Sequence, residues 1–269
     1  MKARDLLVPF ERHIGCDYMH WPDGGFPAGS PDTEIQKVLL TWRPTLRALR
    51  QAADLGCNVV FCHEGLYTPE KPELPPYRWL TPMVEPPAVD AAPDDMIRRI
   101  IADHRVTVVQ SHYGWDRFCM YDAFCDALGL SAPVYDHGWE SVFELPRPTQ
   151  VRDLCCQVKD SLEISGTVRL AGDPDMTVRR IVNLWGGMGL SANMYWINRA
   201  LANGAEAGIC GEMDEVFINY ALDAGFPVIE TSHQLSEEFG VRYHADYLRR
   251  HYPELRLEVF TPGRPYQTV

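Results

Sequence analysis

The chain has no apolar run approaching the ~20 residues that cross a bilayer as a helix, so an integral helical membrane protein is excluded. None of its eight cysteines form a CxxC pair, which removes a zinc ribbon and a thioredoxin-type redox motif. Basic residues are in deficit: 25 Lys and Arg stand against 37 Asp and Glu, a formal net charge of -12. A surface that tracks phosphates needs the opposite balance. The charge therefore argues against a dedicated nucleic-acid binder, while leaving room for a small basic pocket. Repeats of short period and low-complexity blocks are missing too. The opening residues, MKARDLLVPFERH, interrupt any apolar stretch with charges. The expectation is a cytoplasmic protein without a secretory signal, its cysteines reduced and each a small buried hydrophobe.

What is present is ordinary for a globular protein: 269 residues, 46% hydrophobic and 23% charged, enough for one large or two small domains. Strand-like and helix-like segments alternate. Residues 37–41 (KVLLT) and 58–62 (NVVFC) read as buried strands. Between them, residues 45–55 (TLRALRQAADL) carry helical spacing and stop before Gly56. This strand-helix-strand unit implies parallel strands with a right-handed crossover. A proline-rich segment at 69–93 reads as a surface excursion, 94–104 as a helix, 105–111 (RVTVVQS) as a third strand, and 120–128 as a helix closed by Gly129.

A polar, proline-containing stretch at 131–148 is expected to separate two halves, 1–130 and 131–269. In the second half, 149–162 reads as helix and 167–171 and 179–184 as strands, the latter broken by Gly186-Gly187-Met188-Gly189. Residues 192–202 read as helix, followed by strand, helix and strand at 207–210, 216–224 and 227–230. A helical region begins at His233, and 255–260 alternates like a terminal strand. The expected fold class is α/β, arranged as two linked lobes.

The chemistry-bearing residues fall just after strands, where open α/β sheets bind ligands. His63-Glu64-Gly65 follows NVVFC. Ser111-His112-Tyr113-Gly114-Trp115-Asp116 follows VTVVQ. His233-Gln234-Leu235-Ser236-Glu237 follows PVIETS and sets an imidazole and a carboxylate four apart on one helix face. Each has a plainer reading: a surface His-Glu pair, an aspartate capping the next helix, a solvated helix face. Glu212, after AGICG, is a partner of ligands or a helix start rather than a ligand. Tyr67, Tyr113 and Trp115 either line a pocket suited to a flat ring or pack a core. Taken together, imidazoles and carboxylates without a thiolate suit zinc, manganese, iron or cobalt better than calcium. Shared carboxylates point to two ions, which two-metal hydrolases hold ~3.5–4 Å apart.

These segments resemble one family throughout. KVLLTWRPTLRALRQAADLGCNVVFCHEGLY is similar to its strand-helix-strand leading into a His-His-Pro motif, and RVTVVQSHYGWD to its "HTNLD" segment. RRIVNLWGGMG resembles its Gly-rich turn, AGICGEM its "TGE" strand end, and VIETSHQLSEEFGV its "GHyxTE" motif. The chain thus resembles the GTP cyclohydrolase 1 type 2 homologue family, also known as NGG-one-interacting-factor-three-like. The resemblance implies two α/β lobes with mixed sheets flanked by helices, a dinuclear metal site between the lobes, and assembly as a homohexamer. It implies that two divalent ions (Zn, Mn or Fe) are held by His63, Glu64, Asp116, His233 and Glu237. His112 and Asp116 become the candidate catalytic residues, His112 to move a proton and Asp116 to bridge the ions. The chain departs from the pattern at Glu64, where the family has histidine, and at Gly65, where it has proline. The family's "WDNxGL" survives only as Trp21-Pro22-Asp23-Gly24-Gly25-Phe26. The expected activity is hydrolysis of a small nucleotide-like or anionic molecule. A metal storage or delivery protein, or a regulatory interaction module, is the alternative.

Overall fold

The computed structural model describes residues 1–21, 23–67 and 93–268. Along the chain the elements run α1 (Val8–Ile14), β1 (Gly25–Ala28), β2 (Val38–Thr41), α2 (Leu46–Asp54), β3 (Val59–Cys62), α3 (Pro93–Asp103), β4 (Thr107–Gln110), α4 (His112–Trp115) and α5 (Tyr121–Ala127). They continue with β5 (Tyr135–Asp136), β6 (Ser141–Gln150), α6 (Val151–Ser161), β7 (Arg169–Ala171), β8 (Thr177–Leu184), α7 (Met194–Ala202), β9 (Ala207–Cys210), α8 (Glu215–Asp223), β10 (Val228–Glu230), α9 (His233–His251) and β11 (Leu257–Phe260). The excursion expected at 69–93 lies, apart from its last residue, outside the described residues. Among the described residues no helix is long and apolar enough to cross a membrane.

The chain forms two compact units, Met1–Phe118 with His244–Thr261, and Cys119–Tyr243 with Pro262–Val269. Neither is continuous, unlike the expected 1–130 and 131–269, because the end of α9 and β11 belong to the first unit. The stretch expected to separate two halves at 131–148 is instead largely strand, β5 and most of β6, inside the second unit's sheet.

In the first unit the sheet order is β1-β4-β3-β2-β11, with β4, β3, β2 and β11 parallel and β1 antiparallel at one edge. The strands β2 and β3 are wholly buried, which is why they read as continuous apolar runs. Successive side chains take opposite faces. Val60 and Cys62 pack with Leu39, Leu49, Ala52 and Ile97 under α2 and α3, and Phe61 turns to the other face against Phe10, Trp115 and His244. The Thr45 hydroxyl caps α2 by accepting from the Ala48 N–H at 3.2 Å, and Gly56 ends it at φ +68, the left-handed position that suits glycine.

In the second unit the order is β5-β6-β8-β9-β10-β7, with β8, β9 and β10 parallel and the flanking strands antiparallel. Both sheets are therefore mixed, as the fold class requires. All eight cysteines are free. Five are buried, whereas Cys16 and Cys156 are exposed and depart from the buried expectation.

Candidate metal centre

Strand register places the first group of donors. Thr41, Cys62 and Gln110 pair across β2, β3 and β4, so all three strands end at one level. The next residues of each strand leave from that edge: Arg43 after β2, His63 and Glu64 after β3, His112 after β4. The Ser111 hydroxyl caps α4 by accepting from the Gly114 N–H at 3.1 Å, which fixes His112 as the first helical residue. One turn later comes Asp116, four positions along and on the same face.

Asp116 does not act as the helix cap of the plainer reading. Its Oδ1 lies 2.9 Å from His63 Nε2 and its Oδ2 3.0 Å from His112 Nδ1. The two imidazoles stack with centroids 4.2 Å apart. His112 Nε2 faces Glu64 Oε1 at 3.7 Å. Burial alone would raise the Asp116 carboxyl. The His63 and His112 rings on its two oxygens outweigh burial and hold it below the ordinary value. His63 is fully buried and the Asp116 side chain nearly so, whereas His112 is 38% exposed. The group therefore has a closed floor and one open member.

Donor atoms of His63, Glu64 and His112 lie within 4.8 Å of one another. Ligands bound at ~2.0–2.2 Å to one ion sit roughly 3–3.5 Å apart. Asp116 stands 2.9 and 3.0 Å from the His63 and His112 nitrogens, and Glu64 Oε1 3.7 Å from His112 Nε2; these separations lie close to that spacing, so the residues fit a divalent ion that favours mixed nitrogen and oxygen donors.

The second unit repeats the device. Leu184 and Glu230 both pair with Cys210, so β8, β9 and β10 end together, followed by Gly186-Gly187, Gly211-Glu212 and His233. His233 opens α9, and Glu237 sits one turn on, with His233 Nε2 and Glu237 Oε1 3.1 Å apart. Glu212 Oε2 takes the other ring nitrogen, Nδ1, at 2.9 Å. That hydrogen bond is the main reason the Glu212 carboxyl lies below its ordinary value. A carboxylate on the second nitrogen fixes ring orientation and leaves the first to a ligand role. The plainer reading of a solvated helix face fails for Glu237, which is 2% exposed.

Glycine makes room here. A Cβ on Gly186 would lie 2.2 Å from Glu237 Oε1, and one on Gly187 3.2 Å from His233 Cε1. The Ser236 hydroxyl accepts from the Gly186 N–H at 3.0 Å and donates to His233 O at 2.7 Å, tying the glycine turn to the helix. Ser232, immediately before His233, has φ +131, a conformation that costs a non-glycine residue ~1–3 kcal/mol. Its N–H donates to Gly211 O at 2.8 Å, which holds it there.

Two residues of the first unit escape a sequence reading. Asp23 Oδ1 accepts from the Tyr113 N–H at 2.8 Å, and Oδ2 lies 3.4 Å from His112 Nδ1. Arg43 donates to Glu64 Oε2 at 2.9 Å and to Gly65 O at 3.1 Å. The WPDGG segment is the signal that points to Asp23. For Arg43 the only signal is its place two residues past a strand end. The aromatics divide: Trp115 is core, fully buried among Phe10, Phe61 and His244, whereas Tyr67 is exposed with the Arg43 guanidinium 5.3 Å from its ring.

Known proteins agree with this architecture. The family model described as Duf34/NIF3 (NGG1p interacting factor 3) matches residues 84–263, more than half of the chain. A protein of Streptomyces coelicolor named GTP cyclohydrolase 1 type 2 homolog is 28% identical over 198 residues, 70% of this chain and 63% of that protein. Its namesake in Pseudomonas aeruginosa is 31% identical over 119 residues, 44% of each chain. The matches thus span less than two thirds of either relative's length. The crystal structure of a Bacillus cereus protein related to NIF3 superposes with a TM-score of 0.77 at 15% identity, covering 100% of this chain and 99% of that one. The chain belongs to the Duf34/NIF3 family.

Proposed function

We infer that the protein is a dinuclear metal-dependent hydrolase of a small nucleotide-like or anionic molecule. His63, Glu64, Asp116, His233 and Glu237 hold two divalent ions, zinc, manganese or iron. The observation that carries this is Asp116: a nearly buried carboxylate that offers one oxygen to each of two imidazoles, in the spacing of ligands rather than of a helix cap. When bound, such a pair supplies acidification of a water near neutral pH and polarisation of the scissile group.

The chain's own residues do the rest. His112 is the exposed member of its group, and Asp23 and Asp116 hold its Nδ1. Its Nε2 is the atom that exchanges a proton with substrate or water. Glu212 keeps the His233 ring in orientation through Nδ1. The names of the two relatives support a nucleotide as substrate. The family resemblance adds a cytoplasmic homohexamer to this reading, which light scattering of the purified protein tests.

The decisive measurement is elemental analysis of protein purified without a histidine tag, followed by a turnover assay on nucleotides, pterin precursors and phosphoesters. Bound transition metal in wild type, lost in Asp116→Ala, with turnover on one of those classes, supports the reading. No metal in wild type, or equal content in Asp116→Ala, overturns it. Metal that exchanges freely, passes to a partner apoprotein and supports no turnover assigns the chain to storage or delivery instead.

A further inference from the structure

Resting on the metal reading above, we propose that Arg43 is a positioning residue that fits Glu64 to serve as a ligand in the place where the family has histidine. The substitution brings two difficulties. A carboxylate adds a negative charge beside Asp116: the two approach opposite nitrogens of the same His112 ring, Glu64 Oε1 at Nε2 and Asp116 Oδ2 at Nδ1. A carboxylate also has two equivalent oxygens, where a histidine anchored at one nitrogen presents a single donor.

Arg43 answers both. Its Nη2 donates to Glu64 Oε2 at 2.9 Å, which occupies one oxygen and neutralises the added charge. The other oxygen, Oε1, lies on the His112 side, 3.7 Å from Nε2, and Glu64 falls in one donor group with His63 and His112. Its Nη1 donates to Gly65 O at 3.1 Å, so the fork is anchored to the backbone immediately past the ligand and cannot swing away without losing two bonds. The guanidinium also lies 5.5 Å from the Trp42 ring centroid and 5.3 Å from that of Tyr67, which stabilises the cation in place. The two side chains are only 22% and 17% exposed, so solvent screens the pair weakly. The arrangement does for Glu64 what Glu212 does for His233: a partner on the far atom orients the near one. Lysine, a compact point charge whose three donors form no planar fork, would not reproduce the arrangement.

The test uses the tag-free full chain, stripped with chelator and titrated with Zn²⁺ or Mn²⁺ alone against a colorimetric chelator, with thermal melts as a check of folding. Arg43→Gln is expected to weaken the ion held by Glu64 by about 10–100-fold, the usual cost of removing a ligand's orienting partner. Arg43→Lys is expected to lose less, about 3–10-fold, because charge remains and the fork does not. In a Glu64→His background the Arg43→Gln change is expected to cost less than about twofold, since the partner carboxylate is gone. Should Arg43→Gln fail to fold, Arg43→Lys in the two backgrounds carries the same comparison. Affinity within about twofold of wild type for the Arg43 variants overturns the proposal, as does an equal loss in both backgrounds, which would mark the pair as a brace for the turn. Failure of wild type to bind either ion overturns the metal reading and the role of Arg43 together. Ions bound by wild type and indifferent to Arg43 overturn only the latter.

Discussion

The carboxyl edges of the two parallel strand cores solve one problem in different ways. In the first unit, donors come from separate loops and lock one another. His63 and His112 stack and share Asp116, and Glu64 is gripped by Arg43. In the second unit both donors ride on one helix a turn apart, His233 and Glu237, and glycines give them space. The first edge is rigid through side-chain contacts, the second through backbone shape. Changes to donors should therefore dominate at the first edge, and changes to backbone bulk at the second.

The largest expected effect tests the locked edge. Asp116→Ala removes the group on which both imidazoles converge. Metal affinity is expected to fall by at least 100-fold, beyond the ~10–100-fold cost of losing an outer partner. Stability is expected to fall by about 2–3 kcal/mol, because the fully buried His63 loses its charge-assisted contact. Equilibrium dialysis and urea melts measure the two. A loss of stability without a loss of metal would show the cluster to be structural.

A second test looks behind the same edge. His244 is fully buried against Phe10, Phe61, Trp115, Phe118 and Tyr247. Neither ring nitrogen has a hydrogen-bond partner among the described residues. Burial pushes its pKa down to about 3. The unfolded chain takes up this proton near pH 6.5, the folded one not until about pH 3. Stability due to this group is therefore complete above pH 6.5 and is lost as pH falls from there toward 3, with a slope reaching about 1.4 kcal/mol per unit. His244→Phe keeps the volume and removes the proton site. It is expected to be more stable than wild type by about 1 kcal/mol at pH 7.5, through relief of unpartnered nitrogens. That gap is expected to exceed about 2 kcal/mol at pH 5. Denaturant midpoints at the two pH values decide; a gap that does not widen means that His244 is hydrated or partnered in solution.

The glycine edge is tested by Gly186→Ala. Its methyl would meet Glu237 Oε1 at 2.2 Å, and φ there is +53. Gly225→Ala is the control, with φ +62 and nothing within 4 Å of the added Cβ. Both lose about 1 kcal/mol to backbone strain. Only Gly186→Ala is expected to lose metal affinity as well, by about tenfold, as Glu237 is displaced from His233. Equal behaviour of the two variants would break the comparison of edges.

The same contrast explains what the sequence made legible. Strands β2, β3, β4, β9 and β10 are short buried runs, and their ends announce themselves. The donors that follow were readable for that reason. The strand β6 was not, because SVFELPRPTQ carries Pro146 and Pro148 at an irregularity in its pairing with β8 between Glu144 and Thr149, where prolines are tolerated. The same holds for β1, whose Gly25-Phe26-Pro27-Ala28 sits at a sheet edge. The roles of Arg43, which has no motif, and of Asp23, marked only by the WPDGG segment, were hidden for another reason. Their partners lie 21 and 90 residues away: parallel pairing of β2 with β3 brings Arg43 to Glu64, and antiparallel pairing of β1 with β4 brings Asp23 to Tyr113. The division into units was equally non-local, since β11 pairs with β2 from the far end of the chain.

The smallest expected effect concerns which ion the locked edge prefers. With Glu64 in place, the first unit contributes two carboxylates and the His63 imidazole to the proposed ligand set, whereas the second contributes one of each. Oxygen-rich sets favour harder ions, and imidazole shifts preference toward zinc. Glu64→His should therefore raise affinity for Zn²⁺ relative to Mn²⁺ by several-fold, up to about tenfold, or ~1.4 kcal/mol. It also strands Arg43 without its carboxylate, a cation left near the ligands that lowers affinity for both divalent ions alike. The matched comparison is Glu64→His with Arg43→Gln, where that cation is absent and the shift toward zinc should match that of the single variant. Competitive titration with both ions gives the ranking directly. An order unchanged in single and double variants would remove Glu64 from the ligand set, leaving the edge defined by His63 and Asp116.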